Sequence, residues 1–426
     1  MHVYFSGVGG VGVGPLAEIA LDLGYRVSGS DPAISQQTAT LKNRGVVICQ
    51  NQGGHDMAKL HELNPIDWFV YTSALPPDNG ELLFARQNGI RASKRHELLN
   101  HVIRQQRLKL IAVAGTHGKT TTSAMLAWLL GGLGEPVSYS VGTALSFGPS
   151  GRYQPGSRFF VYECDEYDRN FLQFKPDLSV ITSLDYDHPD SYAKPEDYRQ
   201  AFRDFLNQSA IGLMWQSDAE YLGVPPEAGH IKIYPEASGQ LDGISLAGPH
   251  NRRNAFLAVA AAERLLEGVR REKIVKLINN FPGTARRFEK LADNLYSDYA
   301  HHPKEIAATL QLAAELSDKI AVVYQPHQNL RQHAVAGTYG GCFEPARTIY
   351  WLPTYLSRED PSLKVLSPAE LTDGLDERHR IILSVLDDRL WQNIQKARRA
   401  GCLVVAMSAG SLDGWLRQKL VEDTET

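Results

Sequence analysis

The stretch Ile111–Thr122, IAVAGTHGKTTT, constrains this chain more than any other. An apolar run ends at Gly115, turns through Thr116, His117 and Gly118, and enters a helical pattern at Lys119. A strand that turns through glycines into a helix aims backbone N–H groups, and the positive end of the helix dipole, at one point in space. Phosphate oxygens suit such a point. Lys119 adds a mobile cation for the outer phosphates, and the Thr120 hydroxyl a ligand for Mg²⁺. The pattern departs from GxxxxGK[ST] at its first glycine, where Val113 stands. A tight turn carrying a surface lysine is the plain alternative. Four consecutive polar residues, Lys119–Thr122, favour nucleotide duty, with ATP and Mg²⁺ as the expected cofactors.

Short apolar runs alternate with helical patterns along the chain, which predicts α/β layers with mostly parallel sheets. Three segments are expected: residues 1–107, 108–284 and 285–426. In the first, strands are expected at His2–Ser6, Tyr25–Ser30 and Trp68–Thr72, with helices at Gly12–Leu23 and Glu81–Gln87. The polar, basic run His101–Arg107 marks its end. In the second, strands are expected at Leu110–Ala114, Phe159–Glu163 and Leu178–Thr182, with helices at Thr120–Leu130, Pro195–Leu206 and Asn251–Leu266. In the third, strands are expected at Ile320–Tyr324, Thr348–Leu352, Ile381–Val385 and Leu403–Met407, and Asn280–Phe288 reads as a hinge.

A net charge of −4 without a basic block disfavours a nucleic-acid partner. No apolar run approaches the roughly 20 residues that span a bilayer. Cys49, Cys164, Cys342 and Cys402 form no CxxC pair, which leaves them as buried thiols of a reducing compartment. A cytoplasmic enzyme is expected.

Carboxylates for a magnesium–nucleotide site are expected at strand ends. FFVYECDEYD supplies Glu163, Asp165, Glu166 and Asp168, and LSVITSLDYDH supplies Asp185, Asp187 and His188. Asp168 and Asp185 read as solvated loop residues, Glu163 and His188 as metal or phosphate ligands. In GPHNRRN, Asn251 and Asn254 share one face of a helix start, where a simple N-cap explains them equally well. The opening SGVGGVG satisfies GxGxxG between strand and helix, and Asp31 follows at the end of the next strand. This fingerprint reports a diphosphate at a helix N-terminus, in NAD or in a UDP-linked ligand. A separate ATP loop favours the second over a nicotinamide oxidoreductase.

Taken together, GVGGVG, AGTHGKTTT, ECDEYDRNFL, DYDHPDSY, GPHNRRN, FPGTARRFE, DYAHHPKEI and YQPHQNLR follow one another as in the Mur ligases of peptidoglycan synthesis, which this chain resembles nearly end to end. The resemblance implies three domains: an N-terminal Rossmann-like one for a UDP-linked substrate, a central P-loop ATPase-like one, and a C-terminal Rossmann-like one for the amino acid. It implies amide formation between the carboxylate of UDP-N-acetylmuramate and the amine of L-alanine through an acyl phosphate. The rival within the family joins the same sugar nucleotide to L-alanyl-γ-D-glutamyl-diaminopimelate.

The implied catalytic set is Lys119, Glu163, His188, His302 and Arg331, with Thr120, Glu163 and His188 on the metal. ATP would meet Gly115 to Thr121, His250, Asn251, Asn254, Arg286, Arg287 and Asp298. The substrates would meet Gly9, Gly10, Val11, Gly12, Asp31, Ser73, His301 and His327. A monomer or weak homodimer is expected. Gln328 stands where the family commonly has Arg, and PEDYRQAF offers no lysine for carbamylation.

Overall fold

The computed structural model describes residues 1–426 except 73–74, 189–190, 226–228, 237–240, 358, 377–378 and 425–426. Three α/β sheets carry the chain. The first takes β1 (His2–Ser6), β2 (Arg26–Ser30), β3 (Val47–Cys49), β4 (Trp68–Tyr71) and β5 (Arg91–Lys94) in the order β3-β2-β1-β4-β5, all parallel. The second takes β6 (Lys109–Ala114), β7 (Val137–Ser140), β8 (Gly151–Arg152), β9 (Phe159–Glu163), β10 (Leu178–Ile181), β11 (Gly212–Trp215) and β12 (Ile231–Tyr234). Its order is β12-β11-β10-β6-β9-β7-β8, with only the short β7–β8 pair antiparallel. The third takes β13 (Glu289–Ala292), β14 (Leu295–Asp298), β15 (Ile320–Tyr324), β16 (Ala346–Trp351), β17 (Arg380–Leu383) and β18 (Leu403–Met407). Its order is β13-β14-β18-β15-β16-β17, with β13–β14 antiparallel.

Burial of both faces explains why the central strands are continuous apolar runs. On β15, Ile320, Val322 and Tyr324 enter one core while Ala321 and Val323 enter the other. On β1, Val3 and Phe5 face a core that also holds Ala112 and Phe160 of the second sheet, and Tyr4 turns to the opposite side with Phe69 and Leu82. The residues pack as two compact units, 1–244 with 253–281, and 245–252 with 282–426. The first two sheets therefore share a unit.

The polar run that begins at His101 is entered by the helix Arg95–Gln105, which buries Leu98, Leu99, Val102 and Ile103 on one stripe. No helix among the described residues is long and apolar enough to cross a membrane.

Candidate active site

β6 lies between β10 and β9, so three carboxyl ends open on one edge of the second sheet. The loop after β6 cannot carry side chains at its two glycines. Gly115 has φ 136°, and a Cβ there would come within 2.5 Å of Thr182 Oγ1 and 2.8 Å of the Ser183 carbonyl. Gly118 has φ 85°, and its Cβ would meet Asn254 Oδ1 at 2.6 Å. Thr116 is fixed between them. Its N–H donates to Ser183 O at 2.7 Å, and its hydroxyl shares a 2.7 Å bond with Tyr198 OH and accepts the Asp185 N–H at 2.8 Å. The His117 carbonyl accepts the hydroxyls of Thr182 and Ser183.

The helix Lys119–Gly132 begins where this loop ends. Lys119 folds back over the loop, donating to Gly115 O at 2.5 Å and Thr116 O at 3.2 Å. Its Nζ lies 3.0 Å from Glu166 Oε1 and 2.9 Å from Oε2. Burial opposes the ammonium, but Glu166, Asp165 and Glu163 outweigh it and hold the Lys119 pKa above the ordinary lysine range. Burial likewise acts on Glu166, which is fully enclosed, and raises its carboxyl while Lys119 pulls back. Thr120 and Thr121 are buried in the first turn of the helix.

Glu163 ends β9. It accepts Thr120 Oγ1 on Oε1 at 2.7 Å and the Gly142 N–H on Oε2 at 2.6 Å. His188 follows β10, with Nε2 3.8 Å from both Glu166 Oε1 and Asp187 Oδ2. Ligand atoms of Asp165, Glu166 and His188 lie within 4.8 Å of one another. Of the residues expected on the metal, Thr120 and Glu163 lie together, and His188 lies with Asp165 and Glu166. Two carboxylates and an imidazole so placed could hold a divalent cation. Non-glycine residues at positive φ gather here: Asp168, Arg169 and His188 at 52°, 55° and 59°. Such strain is costly and clusters at functional sites. Asp168, expected to be solvated, is half exposed and pairs with Lys94 at 3.4 Å.

At the glycine-rich turn after β1, the Gly9 N–H donates to Asp31 Oδ2 at 2.8 Å, and the Gly10 N–H to Gly7 O at 3.1 Å. Val11 is exposed, and Gly12 lies against Arg95. Ser73 lies outside the described residues. The helix Pro249–Leu265 carries His250 and Asn251 in its first turn, where Asn251 Nδ2 donates to Ala247 O at 3.0 Å, and holds the buried Asn254 beside Gly118.

Within the second unit, Asp298 is buried, accepting the N–H groups of Phe288 at 2.7 Å and Ala300 at 2.8 Å. Arg286 donates to Ser408 O at 2.7 Å, and both Arg286 and Arg287 lie over the Tyr299 ring. His301 Nδ1 sits 3.0 Å from Tyr299 O and 3.3 Å from Glu305. His302 caps the helix Pro303–Leu316 in a capping box with Glu305. His327 stacks on Tyr355, and burial, His301 and Arg331 hold its pKa down to about 4. Arg331 lies on the helix Asn329–Val335, which Gln328 precedes at φ 60°.

Glu166 is a residue that sequence reasoning does not single out. Its signal is present in DEYD, but nothing in the sequence says which acid of that run is buried against Lys119.

These features define a class: an α/β protein of the strand–loop–helix type, with a lysine held over its glycine loop and an acid cluster beside it. The model of the Mur ligase family catalytic domain matches residues 2–107, and that of the Mur ligase middle domain residues 113–224. A UDP-N-acetylmuramate–L-alanine ligase from Sinorhizobium fredii is 32% identical over 97% of this chain and 95% of its own length. One from Kineococcus radiotolerans is 33% identical over 85% of this chain and 84% of its own. The crystal structure of the Thermotoga maritima UDP-N-acetylmuramate-alanine ligase MurC superposes with a TM-score of 0.79 at 23% identity, covering 100% of this chain and 99% of that one. A murein peptide ligase from Psychrobacter arcticus gives 0.67 at 23%, over 99% and 98%. The chain belongs to the Mur ligase family.

Proposed function

We propose that this chain is an ATP-dependent ligase that joins the carboxylate of UDP-N-acetylmuramate to the amine of L-alanine, as a cytoplasmic step of peptidoglycan precursor synthesis. The observation that carries the reading is the Lys119 ammonium, held between the loop carbonyls of Gly115 and Thr116 and the buried Glu166. A lysine kept charged at a glycine loop serves an anion more negative than one carboxylate, and a triphosphate is such an anion. Relatives named for L-alanine support that amino acid over the tripeptide.

A carboxylate is a poor electrophile, so its oxygen first takes the γ-phosphoryl group, giving an acyl phosphate and ADP. Two anions meet in that step. Lys119 and the loop N–H groups offset the charge that builds on the transferred phosphoryl group. Thr120, Glu163 and His188 are the residues assigned to magnesium, with Asp165 and Glu166 beside His188 as further carboxylates for the cation. When bound, the cation supplies charge neutralisation and in-line geometry. Asn254 and the nearby His250 and Asn251 are assigned to the nucleotide, as are Arg286, Arg287 and Asp298. The amine then attacks the acyl carbon and phosphate departs. We assign His301, His302, His327 and Arg331 to the amino-acid side. The enzyme is taken to act as a monomer or weak homodimer.

Phosphate release from ATP, measured with UDP-N-acetylmuramate plus either L-alanine or the tripeptide, tests the reading. Release with L-alanine is the expected result. Release with the tripeptide alone overturns the amino-acid assignment, and release with neither overturns the activity.

A further inference from the structure

Two basic residues stand at the carboxyl end of β5, Lys94 as its last residue and Arg95 as the first of the following helix. Each faces an acid of the segment after β9. Lys94 Nζ lies 3.4 Å from Asp168 Oδ2, and Arg95 Nη2 lies 3.5 Å from Asp165 Oδ2. The first pair is an exposed surface contact. The second differs. The Arg95 side chain is only 23% exposed, and Asp165 belongs to the cluster with Glu166 and His188. The other end of the same guanidinium, Nη1, lies against Gly12 of the glycine-rich turn, so closely that a Cβ at residue 12 would overlap it. One planar group therefore reaches from the turn after β1 to the acid cluster after β9. Its 3.5 Å separation from Asp165 exceeds the roughly 2.7–2.9 Å of a made charge-assisted bond. Arg95 is held near Asp165 without being committed to it.

We propose that Arg95 binds the diphosphate of a nucleotide-linked substrate seated on the glycine-rich turn, and that it leaves Asp165 for that anion when the substrate arrives. The proposal rests on reading Gly7–Gly12 as the sugar-nucleotide site. Charge and shape give its direction. A diphosphate carries more negative charge than a carboxylate, and its oxygens match the arginine fork in bidentate fashion. Removing the guanidinium from Asp165 makes the cluster more negative and frees one carboxylate for a divalent cation. The two sites are thereby linked: sugar nucleotide tightens cation binding, and by reciprocity cation tightens sugar-nucleotide binding. A side chain at residue 12 would push the end of the flexible Arg95 side chain aside, so glycine there leaves the guanidinium its place against the turn.

The test uses the full chain, with UDP as the probe for the turn and Mn²⁺, followed by electron paramagnetic resonance, as the probe for the cluster. In the wild type, saturating UDP is expected to tighten Mn²⁺ binding by about 5-fold or more. Arg95→Gln is expected to weaken UDP by about 10- to 100-fold and to abolish the Mn²⁺ effect. Arg95→Lys keeps the charge but loses the fork, and should retain part of the UDP affinity and little of the coupling. Asp165→Asn removes the competing carboxylate and is expected to bind UDP more tightly than wild type, which loss of folding cannot mimic. Wild-type UDP affinity in Arg95→Gln, or Mn²⁺ affinity indifferent to UDP in the wild type, overturns the proposal. Failure of the wild type to bind UDP at all overturns the reading of the turn, and this inference with it.

Discussion

The Glu18 carboxylate accepts the Gly151 N–H at 2.7 Å and the Ser150 hydroxyl at 2.8 Å, tying the helix behind the glycine-rich turn to the β7–β8 hairpin. From there the bonding continues inward. The Val141 N–H donates to Ser150 O at 2.9 Å, the next N–H, of Gly142, donates to Glu163, and Glu163 accepts Thr120. Glu18 is 1% exposed, and burial raises its carboxyl above the usual range. Glu18→Ala, which leaves the buried Gly151 N–H without an acceptor and the Ser150 hydroxyl with only Gln37 Oε1 at 3.4 Å, is expected to cost about 1–3 kcal/mol in urea denaturation. Glu18→Gln keeps an acceptor oxygen and should cost less. Gly151→Ala should be worse than either, because its Cβ would overlap the Pro15 carbonyl, a backbone group that cannot turn aside.

Lys119 and Glu166 form a buried pair whose two contributions can be separated. Lys119→Met should lower ligase turnover by about 1000-fold, as expected when a principal phosphate contact is lost. It also leaves Glu166 enclosed without its cation, at a cost on the order of 3–5 kcal/mol. Adding Glu166→Gln to Lys119→Met should recover most of the stability and none of the turnover. Equal effects of the second change on both quantities would count against the phosphate role. Steady-state phosphate release and denaturant titration of the same preparations give the two readouts.

What could be read in advance follows the physics of burial. His2–Ser6, Phe159–Glu163, Ile320–Tyr324 and Leu403–Met407 are strands over the residues expected from their apolar runs, because each is buried throughout or nearly so. Val47–Cys49 and Arg91–Lys94 escape that reading. They are edge strands of three and four residues, partly exposed; the apolar run Val46–Cys49 is too short to stand out, and Arg91–Lys94 has none. The loop at Gly115–Lys119 is legible because glycine, lysine and threonine each have a stated task at one spacing. Glu166 and Arg95 are not, since their significance lies in what packs against them. A helix of the first sheet and a loop of the second are brought together by tertiary structure alone.

Asp218 offers a pH test in the first unit. It accepts the Leu184 N–H at 2.8 Å, on the segment leading to His188, while burial pushes its carboxyl up to about 7. An acid whose pKa is raised by folding stabilises fully below its unfolded value, near 4. That stability is lost as pH rises through about 7. Asp218→Asn, which carries no charge to bury, should therefore gain on the wild type between pH 4 and about 7 and hold a constant advantage above pH 8. Urea midpoints of the two proteins across that range check this, and a constant difference would refute it.

His250 should show the opposite slope. Burial lowers its pKa to about 4, helped by Arg252 and Arg287 and resisted by Glu315. It stands in the first turn of the helix Pro249–Leu265, where the positive helix end also disfavours an imidazolium. Above about pH 6.5 the ring is neutral in both folded and unfolded chains and contributes nothing to the pH dependence. Between 6.5 and 4 the unfolded chain binds a proton that the folded chain refuses, so stability falls as pH falls, and below about 4 the loss is complete. His250→Gln removes the proton site from both states. The wild type should therefore lose stability relative to His250→Gln only inside that window, and denaturant titrations at pH 7.5, 5.5 and 4.5 are enough to see it. A difference independent of pH would mean that folding leaves the imidazole's pKa where it stands in the unfolded chain, so that burial does not keep the ring neutral at the start of that helix.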